Sequence, residues 1–175
     1  VIQPCDDLET AGAVEQLVRY PGPAFLRTTR QKVWRVNPPG YRFELGKGVL
    51  LRPGRDLTVV ATGATVAHAL DAAEALAGEG IDVRVVNIHT IKPIDADLLA
   101  ACARETGRIL CVEDHQVTGG LGGAVCETLA ERCPVPVRRH GIPDMFGESG
   151  TPEELYAHHG LDAAGIARAV RAFRA

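Results

Sequence analysis

From residue 57 onward the chain alternates two patterns. Short apolar runs (LTVVAT, IDVRVVNIHT, RILCVE and VPVRRHG) are separated by ATVAHALDAAEALAGEG, IDADLLAACARE and GAVCETLAER, in which apolar residues recur at helical spacing. A strand with one wet face alternates apolar and polar residues, whereas a strand covered on both faces is apolar throughout. Strands separated by helices need crossover connections, and crossovers make neighbouring strands parallel. The two constraints together specify an α/β fold with a mainly parallel sheet and helices on both faces. TPEELYAHH and LDAAGIARAVRAFR read as closing helices, and the Thr-Pro-Glu-Glu start of the first is capping chemistry that requires no ligand.

The chain before residue 57 is organised differently. Residues 1–29 read as strand, helix, strand: VIQP, a helix with Asp6 or Asp7 as its N-cap, a stop at YPGP, and then AFLRTT. Residues 30–56 are polar, broken by NPPG and RPGRD, with GVLL at 48–51 as one apolar piece, and read as a crossing into a second domain. The expected division is residues 1–36, a linker at 37–56, and a domain at 57–175.

Composition excludes several function classes. A formal charge of −3 offers no bulk attraction for nucleic acid or an anionic membrane. No apolar run approaches the length of about 18 residues that a membrane helix needs. The five cysteines contain no CxxC pair, and their odd number argues against a disulfide framework. Cys111 and Cys126 sit in apolar runs as buried thiols, which fits a reducing cytoplasm. The chain begins at Val1, its one methionine is Met145, and VIQPCDDLE lacks the pattern of a signal peptide. A longer polypeptide, or a processed one, is the expectation.

Three segments carry candidate chemistry. In EDHQVTGGLGGAVCE, at 113–127, four glycines crowd the start of a helix. The segment lacks the third glycine of a dinucleotide fingerprint and the Gly-Lys-Ser/Thr of a P-loop. Its glycines therefore serve close packing, with an anion or partner contact at the helix start as the alternative. His115, beside Glu113 and Asp114 at the carboxyl edge of a strand, stands where open α/β sheets usually bind ligands. It reads either as an edge or interface residue or as an acid–base group. Arg27 and Arg30 flank two threonines in FLRTTRQ, a pattern that suits an oxyanion such as a sugar phosphate, or surface ion pairs. His158 and His159 are adjacent on a helix and do not face one another, so no metal site is expected there. His68 and His89 read as packing histidines.

Taken together, NIHTIKPIDADLL, RILCVEDHQVTGGLGGAV and GIPDMFGESGTPEELYAHHGLDAAGI resemble the C-terminal domain of transketolase and its thiamine-diphosphate relatives, while residues 1–31 resemble the end of the family's pyrimidine-binding domain. The resemblance implies part of an enzyme that transfers a two-carbon ketol unit between sugar phosphates. 1-Deoxyxylulose-5-phosphate synthase and the β-subunit of a 2-oxoacid dehydrogenase are related alternatives, and a non-catalytic assembly module is a third. Thiamine diphosphate and Mg2+ (or Ca2+) are implied, held by regions or subunits outside this sequence, because neither the activating glutamate region nor a Gly-Asp-Gly motif is present. The implied partners are a sugar-phosphate substrate and either a second copy or a subunit carrying the diphosphate-binding domain. The family's substrate-phosphate arginine lies in a Ser-Arg-Gln type segment, which maps onto Thr29-Arg30-Gln31 and singles out Arg30. The glycines at 119, 120, 122 and 123 are implied to be structural, and His115 and Glu113 to be edge or interface residues.

Overall fold

The computed structural model describes residues 1–174. Its five-stranded sheet comprises β1 (Val49–Arg52), β2 (Leu57–Ala61), β3 (Val83–Asn87), β4 (Ile109–Gln116) and β5 (Val137–Ile142), in the order β1-β3-β2-β4-β5. Strands β2 to β5 are mutually parallel and β1 runs antiparallel to β3. The helices are α1 (Asp7–Leu17), α2 (Thr65–Ala77), α3 (Ala96–Thr106), α4 (Leu121–Arg132), α5 (Pro152–His159) and α6 (Ala163–Arg174). The mainly parallel α/β architecture is the one expected.

Every residue of β2 is buried, because alternate side chains serve two cores. Leu57, Val59 and Ala61 pack with Ala69, Ala73 and Leu76 of α2 and with Ile166 and Val170 of α6. Val60, Val86, Ile109 and Cys111 pack on the other face with Leu99 and Cys102 of α3 and with Leu121, Val125 and Leu129 of α4. Continuous apolar strands are the direct consequence of these two covers. The Thr151 hydroxyl and the Glu154 carboxylate close a reciprocal capping box at the start of α5.

The first 45 residues build a smaller cluster of Ile2, Ala13 and Phe43 with Leu17, Leu26, Tyr41 and Leu45 around them. VIQP and AFLRTT do not become full strands. They are extended segments joined by an isolated parallel bridge between Ile2 and Leu26, with Ile2 N–H donating to Phe25 O and Arg27 N–H to Ile2 O, each at 2.8 Å. Pro4 has no N–H to donate at the next rung, so the ladder stops there. α1 starts where expected, with the Asp6 carboxylate accepting from Glu9 N at 2.9 Å.

The segment 37–56, expected as a linker, is better integrated than its polarity suggests. Tyr41, Phe43 and Leu45 pack against the α1 cluster, and Val49–Arg52 is the sheet's antiparallel edge strand. An edge strand is short and half exposed, so its apolar signal is weak. The Asp6 carboxylate also accepts from Val36 N (3.0 Å), Asn37 N (2.7 Å) and Asn37 Nδ2 (3.1 Å), pinning the segment back onto the N-cap of α1. No helix among the described residues is long and apolar enough to cross a membrane.

Candidate functional site

The chain passes from β2 to β3 on one side and then returns past β2 to β4, so the sheet reverses between the carboxyl ends of β2 and β4. Open α/β sheets usually bind ligands in that crevice. Here it is filled by Gln3, which is 3% exposed. Thr62 Oγ1 donates to Gln3 O at 3.2 Å, and Gln3 N donates to His89 O at 2.8 Å. Gly63 has φ +59°, and a Cβ there would lie 2.5 Å from Gln3 Nε2. The chain's own N-terminal segment therefore occupies the crevice that His115 was expected to border.

The glycine-rich helix start is occupied too. Glu113, at the carboxyl end of the buried part of β4, accepts from Leu121 N at 2.7 Å and from Gly122 N at 2.8 Å. A carboxylate at a helix N-terminus satisfies donors that have no partner within the helix and faces the positive end of the dipole. It also takes up two of the amides that an external anion would use at this helix start. Gly120 makes the approach possible, since a Cβ there would stand 2.0 Å from Glu113 Oε2. Glu113, expected as an edge or interface residue, is 2% exposed in this chain, its carboxylate turned inward onto the helix start. Gly123 departs from its expected structural role as well, because a Cβ there would meet nothing within 4 Å. His115 is 45% exposed, hydrogen-bonds Gln116 O through Nδ1 at 2.7 Å and lies 3.9 Å from the Glu113 carboxylate. It lines a cavity of about 620 Å³ together with Phe25, Lys92, Gly123 and Glu127.

The two arginines of FLRTTRQ have different fates. Arg27 is committed to Asp114: its guanidinium pairs with the Asp114 carboxylate and donates to the Asp114 carbonyl at 2.9 Å. Gln3 Nε2 and the Tyr156 hydroxyl donate to the same carboxylate at 2.9 and 2.8 Å. Burial, and then the charge of Asp114, push the Tyr156 phenol well above its usual range. Arg30 is exposed, and among the described residues it has no ion-pair partner. It lines a shallow pocket of about 380 Å³ with Arg27, Thr28, Thr29, Gln31, Asp114 and Pro152. The residues alone put the two arginines on an equal footing, the family resemblance singled out Arg30, and neither revealed the role of Asp114, whose partners lie up to 111 positions away.

The remaining histidines divide as well. His89 is buried, bonds Thr90 Oγ1 through Nδ1 at 2.9 Å and tilts against Phe43, as a packing residue does. Burial holds its pKa down at about 4. His68 sits 5.3 Å from the Tyr156 ring and lines a cavity with Trp34 rather than closing into the core. His158 and His159, expected to face apart, have ring centroids 4.9 Å apart at the end of α5, and their nitrogens lie within 4.8 Å of each other and of a Glu148 oxygen. All three belong to the surface of the last loop and helix end.

The sheet is thus doubly wound, with its own N-terminal segment packed at the carboxyl-edge crevice beside an exposed, basic extended segment. Residues 46–166 match the model of the transketolase C-terminal domain, and the chain belongs to that family. It is 44% identical to a 6-deoxy-6-sulfo-D-fructose transketolase subunit of Clostridium sp. (strain MSTE9), over 97% of this chain and 52% of that protein. It is 42% identical to 1-deoxy-D-xylulose-5-phosphate synthase 1 of Geobacter metallireducens, over 99% of this chain and 28% of the synthase. A solved structure described as a split gene transketolase, inactive beta4 tetramer, superposes with a TM-score of 0.93 at 44% identity, covering 97% of this chain and 56% of that one. The chain thus spans about half the length of the transketolase subunits it matches and under a third of the synthase.

Proposed function

We propose that this chain is the C-terminal part of a thiamine-diphosphate-dependent transketolase-like enzyme that passes a two-carbon ketol unit between sugar phosphates. In this reading residues 1–36 are the end of the pyrimidine-binding domain and the sheet is the C-terminal domain. The residues present do not fit the cofactor. The sequence has no Gly-Asp-Gly motif, and the helix start that could cradle a diphosphate is filled by Glu113. Thiamine diphosphate and its Mg2+ or Ca2+ therefore belong to another region or subunit, and a heteromer or a pair of copies completes the enzyme. All five cysteines are free, which supports a reducing, cytoplasmic setting.

What this chain contributes to the reaction is binding. The carrying observation is Arg30, exposed and unpaired among the described residues in a pocket with two threonine hydroxyls, while its neighbour Arg27 is neutralised by Asp114. A guanidinium offers a phosphate a two-pronged, permanently charged contact. A bond to a charged group contributes roughly 1.5–3 kcal/mol, so Arg30→Ala in the assembled enzyme raises KM for a phosphorylated sugar roughly 10- to 100-fold. Unchanged kinetics would remove Arg30 from the site and leave an assembly module as the better description. The relative from Geobacter metallireducens favours a second reading, 1-deoxyxylulose-5-phosphate synthesis. Product analysis separates the two: 1-deoxy-D-xylulose 5-phosphate appears in one case and a ketol-transfer product in the other.

A further inference from the structure

We propose that Asp114 is a positioning residue for substrate binding: it clasps Arg27 and so fixes the extended segment from which Arg30 reaches the phosphate. The inference rests on the reading of Arg30 as a phosphate ligand and adds a residue of the C-terminal domain to that site. Three segments converge on Asp114, which is 12% exposed: the N-terminal extended segment through Gln3, the extended segment at 24–29 through Arg27, and α5 through Tyr156. Both side-chain oxygens and the carbonyl are engaged, so the carboxylate has one orientation.

The geometry along the chain explains why this matters three residues further on. Arg27 is held twice, by its N–H on Ile2 O at 2.8 Å and by its guanidinium on Asp114. Beyond it, the side-chain bond recorded within residues 28–30 is that of Thr29 Oγ1 to Gln31 O, a weak 3.3 Å. Arg27 is thus the last firm anchor before Arg30, and the anchor point belongs to β4 in the other core. The pairing also sets the charge of the pocket. Arg27 and Asp114 cancel, so Arg30 presents the uncompensated positive charge among the pocket's lining residues.

A positional role and a purely electrostatic one have opposite signs. Asp114 lines the pocket, so removing its negative charge alone would strengthen phosphate binding and lower KM. Releasing the clasp raises KM, because misplacement of a binding group by about 1 Å is sufficient to lose an order of magnitude or more. The test is Asp114→Asn in the assembled holoenzyme, with D-ribose 5-phosphate and unphosphorylated D-ribose as acceptors, alongside Arg30→Ala and Asp114→Glu. The expected result is about a tenfold rise in KM for the phosphate ester, little change in kcat, no change for D-ribose, and partial rescue by Asp114→Glu. Trypsin, which cleaves after arginine, cuts faster after Arg27 and Arg30 in Asp114→Asn whatever the substrate. A KM that stays constant or falls in Asp114→Asn while Arg30→Ala raises it overturns the positioning role alone. If Arg30→Ala also leaves KM unchanged, the phosphate reading has failed, and the trypsin rates decide whether the clasp exists as a structural element only. Equal losses with both acceptors mean general damage and also count against the proposal.

Discussion

Replacing Gly120 by alanine tests the most crowded contact near the candidate site. The new Cβ would lie 2.0 Å from Glu113 Oε2, 2.8 Å from its Cδ and 2.9 Å from His115 Nδ1, so the carboxylate must move. Moving it weakens the bonds to Leu121 N and Gly122 N, which now span 2.7 and 2.8 Å. Each charge-assisted bond is worth roughly 1.5–3 kcal/mol, and the reduced freedom of alanine in the unfolded chain returns less than about 1 kcal/mol. A net loss of about 3 kcal/mol follows, or roughly 6–12 °C in Tm for a chain of this size. Gly123→Ala is the internal control. It lies in the first turn of α4, three residues beyond the N-cap Gly120, with open space around its Cβ position. There alanine gains up to about 1 kcal/mol of helix propensity. Thermal unfolding of the two variants under one condition decides the matter. If Gly120→Ala melts with the wild type, or Gly123→Ala falls as far as Gly120→Ala, then Glu113 does not cap α4 and the argument against an anion site at that helix start collapses.

Two further predictions concern the body of the protein. His89 has its folded pKa lowered to about 4 by burial, against about 6.5 when unfolded. The native state keeps it neutral, so its contribution is intact above the unfolded value and is lost as pH falls towards the folded one. Between pH 7 and 5 the protein should lose about 2 kcal/mol through this residue, and comparing unfolding of wild type with His89→Gln isolates that part of the pH dependence. Asp6→Ala removes the acceptor for Glu9 N, Val36 N and both nitrogens of Asn37. A loss of about 4 kcal/mol and faster protease cleavage across residues 30–45 are expected, and unchanged cleavage would show that Asp6 does not pin this segment.

The comparison of sequence with structure separates by distance along the chain. The α/β class, the parallel strands, the stop before Tyr20-Pro21 and the capping box at Thr151 were legible because period and caps are local properties. The bridge between Ile2 and Leu26 was partly legible, as two extended segments whose pairing Pro4 then curtailed. β1 was noticed only as the apolar piece GVLL, because four half-exposed edge residues between Gly48 and Pro53 are too short a pattern to mark a strand. Arg30 came from resemblance, and residues alone could not distinguish it from Arg27.

By itself, then, the sequence determined the buried strands and amphipathic helices from residue 57 onward, and a basic segment of a known family pattern before them. Only the tertiary structure decided what each polar group does. Gln3 fills the crevice beside Thr62, Glu113 turns back onto α4, and Arg27 meets Asp114 across 87 positions of chain. The reason is physical. Secondary structure follows from hydrogen bonds and side-chain periods over a few residues, whereas a buried carboxylate or guanidinium takes whichever partner the packed layers bring within about 3 Å.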